Sequence, residues 1–279
     1  MRQVGRRIGG LALACHLGPT LAVTALATAL AIGIGANPRT CVLIGAAVLT
    51  GQLSVGWSND WIDAGRDLAV GRRDKPIVTG LVPVSVVRAA AAVALALCVP
   101  LSLATGWRAG SVHLIAVAAA WTYNLRLKNS RWSWAPYALS FGLLPAFVAL
   151  ALPGHPWPAA WALGAAALLG AGAHLANVVP DLEDDRLTGV RGLPHRLGGT
   201  RSSLLASSAL LAATALIVLG PVGAPTALAW PGLVAAGGIV AAGGVVALTR
   251  RRSRVPFYLA IAVAAVDVVL LVQAGPLLV

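Results

Sequence analysis

Eight of the nine acidic residues in this 279-residue chain fall in two short stretches. Asp60, Asp63, Asp67 and Asp74 form the first, and Asp181, Glu183, Asp184 and Asp185 the second; only Asp267 lies elsewhere. Carboxylates crowded in this way repel one another and keep to water unless a cation sits among them. On a helix, Asp60, Asp63 and Asp67 follow i, i+3, i+7 and share one face, while Asp181 and Asp185 follow i, i+4. Hard oxygen donors in that pattern suit Mg2+, which keeps several waters and is completed by phosphate oxygens. Two facing clusters could hold two Mg2+ ions with a diphosphate bridging them. Arg73, Lys75, Arg126, Lys128, Arg191 and Arg196 are close enough in sequence to neutralise the remaining phosphate charge. Metal ions would stabilise the departing diphosphate. The allylic cation left behind needs an apolar pocket poor in water. For one cluster alone, a solvated acidic loop balancing nearby arginines is an equal reading; two clusters on one side weaken it.

The two stretches also resemble each other. One begins N-D-W-I-D-A-G-R-D at Asn59 and the other N-V-V-P-D-L-E-D-D at Asn177. Aligned without gaps, the pairs Asn59/Asn177, Asp63/Asp181, Asp67/Asp185, Gly71/Gly189, Arg73/Arg191, Pro76/Pro194 and Gly80/Gly198 match. An offset of four membrane spans would leave both halves running the same way, as in a duplicated unit with its site between the copies.

The elements that must position these residues are apolar. Hydrophobic residues make up 58% of the chain and charged ones 11%, against about 25% charged in a soluble domain. A bilayer crossing needs about 20 mostly apolar residues. Runs near 12–36, 40–58, 84–105, 109–125, 133–152, 158–179, 202–219, 227–249 and 256–277 meet that need. The expected fold is therefore all-α: one polytopic membrane bundle of nine transmembrane helices over 1–279, with no separate soluble domain. Two four-helix repeats, about 12–125 and 133–249, would surround a central cavity, with the last helix at 256–277. Trp107, Trp132, Trp134, Trp157 and Trp230 fall at span ends, as interfacial anchors do.

The net charge of +12 would suggest nucleic acid in a soluble protein. Here 19 of the 21 basic residues lie on one side of the expected topology, and only Arg39 and Arg108 on the other. That alternation accounts for the charge without a nucleic-acid partner. It places the N-terminus and both acidic stretches in the cytoplasm and the C-terminus outside, in what is expected to be a bacterial plasma membrane. Arg6 and Arg7 before Ile8 to Ala14 and Cys15 look like a short signal peptide or lipoprotein box. The apolar stretch is at the short limit, and Ala12 stands where a lipobox favours Leu, so it reads as an uncleaved lead-in to the first span. Cys15, Cys41 and Cys98 show no metal or redox spacing and read as small buried hydrophobes.

Taken together, these residues resemble the UbiA superfamily of intramembrane prenyltransferases, along essentially the whole chain. Its first motif, N-D-x-x-D-x-x-x-D, is matched by Asn59, Asp60, Asp63 and Asp67, and its second, D-x-x-x-D, by Asp181 and Asp185. Y-N-L-R-L-K at Tyr123 to Lys128 looks like the family's loop after the fourth span. R-D-K-P from Arg73 to Pro76 departs from the shorter basic-Pro pattern of many members. The resemblance implies Mg2+ as cofactor, with Asn59, Asp60, Asp63, Asp67, Asp181 and Asp185 binding metal and diphosphate. It implies that Tyr123, Lys128 and nearby basic residues hold the diphosphate; Arg73, Lys75, Arg126, Asn177 and Arg191 are candidates for that set. The activity implied is Mg2+-dependent prenyl transfer from a prenyl diphosphate to an aromatic or other lipophilic acceptor, within membrane lipid.

Other readings stay open at this stage. A terpene cyclase would capture the same cation with its own double bond. A transporter would place ionisable residues near the bilayer midplane, and these spans carry almost none; a structural scaffold would need no carboxylates. His16, at the start of the first span, fits local packing better than contact with an acceptor. His174 lies one turn before Asn177 and could face the site. Asp267, inside the last span, is functional, one partner of a hydrogen-bonded pair, or placed at the lipid edge.

Overall fold

The computed structural model describes residues 2–187, 189–223, 225–250, 253 and 255–279. The side chains of Arg2 and Asp184 lie outside the described residues, as do Arg251, Arg252 and Arg254 of the last basic loop. Among the described residues all regular structure is helical. The α-helices are α1 (Arg2–Ala14), α2 (Leu17–Gly33), α3 (Pro38–Val70), α4 (Val84–Ala104), α5 (Trp107–Leu125), α6 (Ala135–Gly142), α7 (Leu144–Leu150), α8 (Ala160–Val178), α9 (Leu182–Leu187), α10 (Leu193–Leu197), α11 (Gly199–Leu219), α12 (Ala229–Thr249) and α13 (Val255–Gln273).

The helix that carries the first acidic stretch is α3. Asn37 caps it by accepting from the Thr40 N–H at 3.0 Å, and Pro38 opens its first turn. It runs for 33 residues and stops at Gly71, whose φ of 69° is in the left-handed region that glycine adopts without strain. At 1.5 Å per residue it is about 50 Å long, against a hydrocarbon core of about 30 Å. Some four turns must therefore lie outside the hydrocarbon. This corrects the expected span of 40–58 followed by an acidic loop. No proline interrupts residues 59–70, so the helix carries Asp60, Asp63 and Asp67 outward on one face.

Six helices among the described residues are long and apolar enough to cross a membrane: α3, α4, α8 with the 3-10 turn at its end, α11, α12 and α13. The pair α1 and α2, bent by 66° at Cys15–His16, makes a seventh if taken as one span. This covers only part of the expected nine. The expected span at 133–152 is two short helices that meet at Leu143, next to Gly142 and Pro145. The 19-residue α5 carries His113, Trp121 and Asn124, which lower its apolar character. The expected first span at 12–36 is broken: α2 starts at Leu17, after His16 adopts a left-handed φ of 54° that separates it from α1.

Packing centres on Phe147, Leu30, Ile44 and Val48, where α2, α3, α7, α8 and α13 meet. A second cluster joins α8, α11 and α13 through Leu169, Leu210 and Val263. The α1–α2 elbow is pressed onto α3: a side chain at Gly56 would stand 2.3 Å from the Cys15 carbonyl oxygen. Trp57 Nε1 donates to the Leu11 carbonyl at 2.9 Å, holding α1 on the same helix. Trp107, Trp132, Trp157 and Trp230 are exposed, and Cys15, Cys41 and Cys98 are buried.

Candidate active site

The i, i+3, i+7 spacing on α3 becomes a buried face. Asp60, Asp63 and Asp67 are 2%, 6% and 8% exposed. Burying a carboxylate is costly unless it is paired and hydrogen-bonded, and cations from several elements supply the pairing. Lys75 Nζ donates to Asp60 Oδ1 at 2.7 Å, and His16 Nε2 meets the same oxygen at 3.0 Å. Arg66 and Lys128 each pair with Asp63. Arg72 binds Asp74 through two contacts, at 2.8 and 3.0 Å. That hydrogen-bonded pair holds the Asp74 carboxyl below its ordinary value and keeps Arg72 firmly protonated.

The second stretch begins differently from its sequence spacing. Val179–Asp181 is a 3-10 turn and α9 starts at Leu182, so the two aspartates do not lie on one regular helix. Pro180 sits where α8 would have continued. Asp181 is exposed, whereas Asp185 is 19% exposed and its Oδ2 is 3.1 Å from His195 Nε2.

Electrostatics link the two stretches. The charges of Asp67, Asp74 and Asp181 all act on the Arg72 guanidinium. Those of Asp63 and Asp185 both act on the buried Tyr123 hydroxyl. Next to Tyr123 is an aromatic group: its ring meets Tyr137 edge-to-face at 5.1 Å and His174 at 5.5 Å, and Tyr137 lies 4.7 Å from His174. Ser133 Oγ is 3.0 Å from His174 Nε2 and accepts from the Leu193 N–H.

The expected residues thus separate into groups. Lys75 and Lys128 pair with Asp60 and Asp63, and the Tyr123 hydroxyl feels the charges of Asp63 and Asp185. Asn59 Nδ2 donates to Asn124 Oδ1 at 3.2 Å, so its amide is tied to α5. Asn177, Arg73, Arg126, Arg191 and Arg196 are exposed. Sequence reasoning passed over Arg66, Asn124 and His195. Asn124 donates to Val55 O at 3.0 Å and Ser58 Oγ at 2.8 Å, bolting α5 to α3 beside the first motif; its place in Y-N-L-R-L-K was the available signal. His16 reaches Asp60 instead of serving only local packing, because the α1–α2 elbow lies against α3. Asp267, fully buried, accepts from Thr214 Oγ1 at 2.5 Å, the hydrogen-bonded pair that was one of its readings.

Among the described residues no three His, Cys, Asp or Glu side chains stand together as a ready-made metal cage. The donor set nevertheless fits a hard divalent ion: Asp60, Asp63 and Asp67 bring carboxylate oxygens on one buried face, Asp181 and Asp185 add more accessible ones, and the cations that neutralise Asp60 and Asp63 are flexible ammonium and guanidinium groups that can turn away.

A bundle of long apolar helices with its carboxylates collected at one end is an integral membrane protein built around a charged mouth. The chain belongs to the UbiA prenyltransferase family, whose model matches residues 19–275. Its fold is shared with a UbiA homologue from Archaeoglobus fulgidus bound to GPP and Mg2+, at TM-score 0.70 and 17% identity, over 95% of this chain and 99% of that one. A UbiA homologue from Aeropyrum pernix K1 in its apo form matches at TM-score 0.67 and 21% identity, over 90% and 96% of the two chains. Digeranylgeranylglyceryl phosphate synthase matches at TM-score 0.68 and 14% identity, over 99% of both. No curated protein matches the sequence as a whole.

Proposed function

We propose that this protein transfers a prenyl group from a prenyl diphosphate to a lipophilic acceptor in a Mg2+-dependent reaction. The observation that carries the proposal is the convergence of Asp60, Asp63 and Asp67, buried on one face of α3, with Asp181 and Asp185, through the shared neighbours Arg72 and Tyr123. Family membership and the neighbour bound to GPP and Mg2+ support it. Asn59, Asp60, Asp63, Asp67, Asp181 and Asp185 would hold Mg2+, which supplies charge neutralisation to the departing diphosphate.

The chain's own residues do the rest. Exposed Arg73, Arg126 and Arg191, with Asn177, draw the anion to the mouth. Lys75 and Lys128, paired with Asp60 and Asp63 in the structure, are placed so that their ammonium groups would bind diphosphate oxygens if these carboxylates held metal. Tyr123 and Tyr137 present ring faces and edges beside the carboxylates; a ring face attracts a cation. The apolar bundle keeps water from the allylic cation.

In this reading nine segments cross the membrane as two related units plus α13, all in one domain. The packing is consistent with that: α3 pairs with α4 as α8 pairs with α11, and in each pair an acidic stretch lies at the end of the first helix, before the second begins. The acidic mouth and N-terminus face the cytoplasm of a bacterial cell and the C-terminus faces outward. The test is to incubate purified protein with Mg2+, prenyl diphosphates of several lengths and membrane extract. Mg2+-dependent diphosphate release and a prenylated product by mass are expected, both lost in Asp63→Ala and Asp181→Ala while the protein still inserts. Full activity in either variant would refute the metal assignment. A hydrocarbon with the mass of the donor's prenyl cation less one proton, and no acceptor atoms, would mark a cyclase.

A further inference from the structure

The 13 residues of α1 reach about 20 Å, too short for a hydrocarbon core of about 30 Å, whereas the 17 uncharged residues of α2 reach about 25 Å. The level at which the two part follows from α3. Gly56, against which the Cys15 carbonyl is pressed, stands about 27 Å along α3 from Pro38. So α1 leaves the bundle where α3 leaves the hydrocarbon. It turns there by 66° from α2. Spanning helices tilt by about 20° on average, so an axis bent this far from one can run close to the membrane plane.

One side of α1 is held by the protein and the other is open. Ala14 packs with Val82 and Val87, and a side chain at Gly10, one turn earlier, would stand 2.9 Å from Val82. On the open side, a side chain at Gly5 or Gly9 would meet nothing within 4 Å. Ile8 and Leu13 are 63% and 61% exposed. Arg6 and Arg7 are exposed, and neither forms an ion pair among the described residues. At 3.6 residues per turn, Ile8 lies about 160° round the helix from Arg6. An apolar edge opposed to a basic one is the pattern of helices that lie in the interface, with arginine heads at the phosphates.

We propose that α1 lies in the bilayer surface on the side of the acidic mouth and docks on anionic phospholipid headgroups. Ile8 enters the acyl boundary, and Arg6 and Arg7 meet lipid phosphates. The occupant is a lipid surface because the level of the elbow sets α1 among headgroups and its unpaired charge is positive. Guanidinium forks match phosphate oxygens in pairs.

The test places the full-length protein in nanodiscs of phosphatidylcholine, either alone or with about one third phosphatidylglycerol. Amide hydrogen exchange is followed over Gly5–Ala14. Each arginine at an anionic surface is worth about fivefold in binding, so α1 should exchange up to about thirtyfold more slowly in the anionic discs. Exchange in α3 should be alike in both. Salt at about 1 M should remove most of the difference. Arg6→Gln/Arg7→Gln should remove it as well, with the unfolding temperature in detergent unchanged, because neither arginine has a protein partner to lose. Ile8→Ser should speed exchange of α1 in both kinds of disc. A difference between discs below about fivefold would overturn the proposal, as would one that survives the double variant or high salt. So would an Ile8→Ser protein that exchanges like the wild type, or a double variant that unfolds early, since its arginines would then serve the fold. Turnover enters none of these readouts, so failure of prenyl transfer and failure of lipid docking are told apart.

Discussion

Replacing Asp60 by Asn keeps its shape and removes one negative charge from a side chain that is 2% exposed. Lys75 Nζ, 2.7 Å away on a side chain 14% exposed, then loses its counterion in a largely dry site. Removing one partner of a buried pair costs about 3–5 kcal/mol. His16 adds little, less than about 1 kcal/mol, because its side chain is 43% exposed and screened by solvent. Lys75 keeps some contact with water, so the expected loss is at the lower end, about 3 kcal/mol. Thermal unfolding in detergent, followed by the fluorescence of the nine tryptophans, should show it as a lower transition temperature. Turnover, read as Mg2+-dependent diphosphate release, should fall roughly a hundred- to a thousandfold, the usual effect of losing one group that stabilises developing charge. The double variant Asp60→Asn/Lys75→Met removes the stranded ammonium and should recover most of the stability but none of the turnover. If it regains turnover, Asp60 is only a counterion for Lys75 and the metal role is wrong. If Asp60→Asn unfolds no earlier than the wild type, the buried pair does not hold the site together.

Three further outcomes are expected. Asp267→Leu should leave diphosphate release unchanged and hold or raise the transition temperature, since Asp267 Oδ2 is buried without a hydrogen-bond partner among the described residues and Thr214 keeps its bond to Leu210 O. Gly56→Val should destabilise the protein by about 1–3 kcal/mol or more, because its first carbon meets the Cys15 carbonyl; unchanged unfolding would show that the α1–α2 elbow can slide along α3. Arg72 depresses the Asp74 carboxyl, so its stabilisation is complete above the ordinary value of 3.8 and is lost as pH falls through the lower folded value. Hydrogen exchange after α3 should therefore be faster in Asp74→Asn at neutral pH, and the difference should vanish in strong acid.

Several features were legible in the residues because they depend on local chemistry. The scarcity of charge marked a membrane protein. The i, i+3, i+7 spacing of Asp60, Asp63 and Asp67 put them on one face, and that face is buried. Lys75 was suggested by its place beside the first acidic stretch, and Tyr123 and Lys128 by the Y-N-L-R-L-K resemblance. Other features were not legible. Asp181 and Asp185 looked like a helical pair, yet Pro180 and the 3-10 turn place them differently. Residues 59–70 read as a loop because polar composition hides helix continuation; only packing against α5 through Asn124 and against the α1–α2 elbow shows what supports it.

The sequence by itself determined which side chains carry charge, how they are spaced along each segment and which segments prefer lipid, because transfer free energy and helical period act residue by residue. Tertiary structure alone decided that His16 and Lys75 share one oxygen of Asp60, that Lys128 joins Arg66 on Asp63, and that His195 stands against Asp185. Those partners lie 10 to 65 positions apart in the chain. Their meeting depends on how whole helices pack, and no local pattern encodes that.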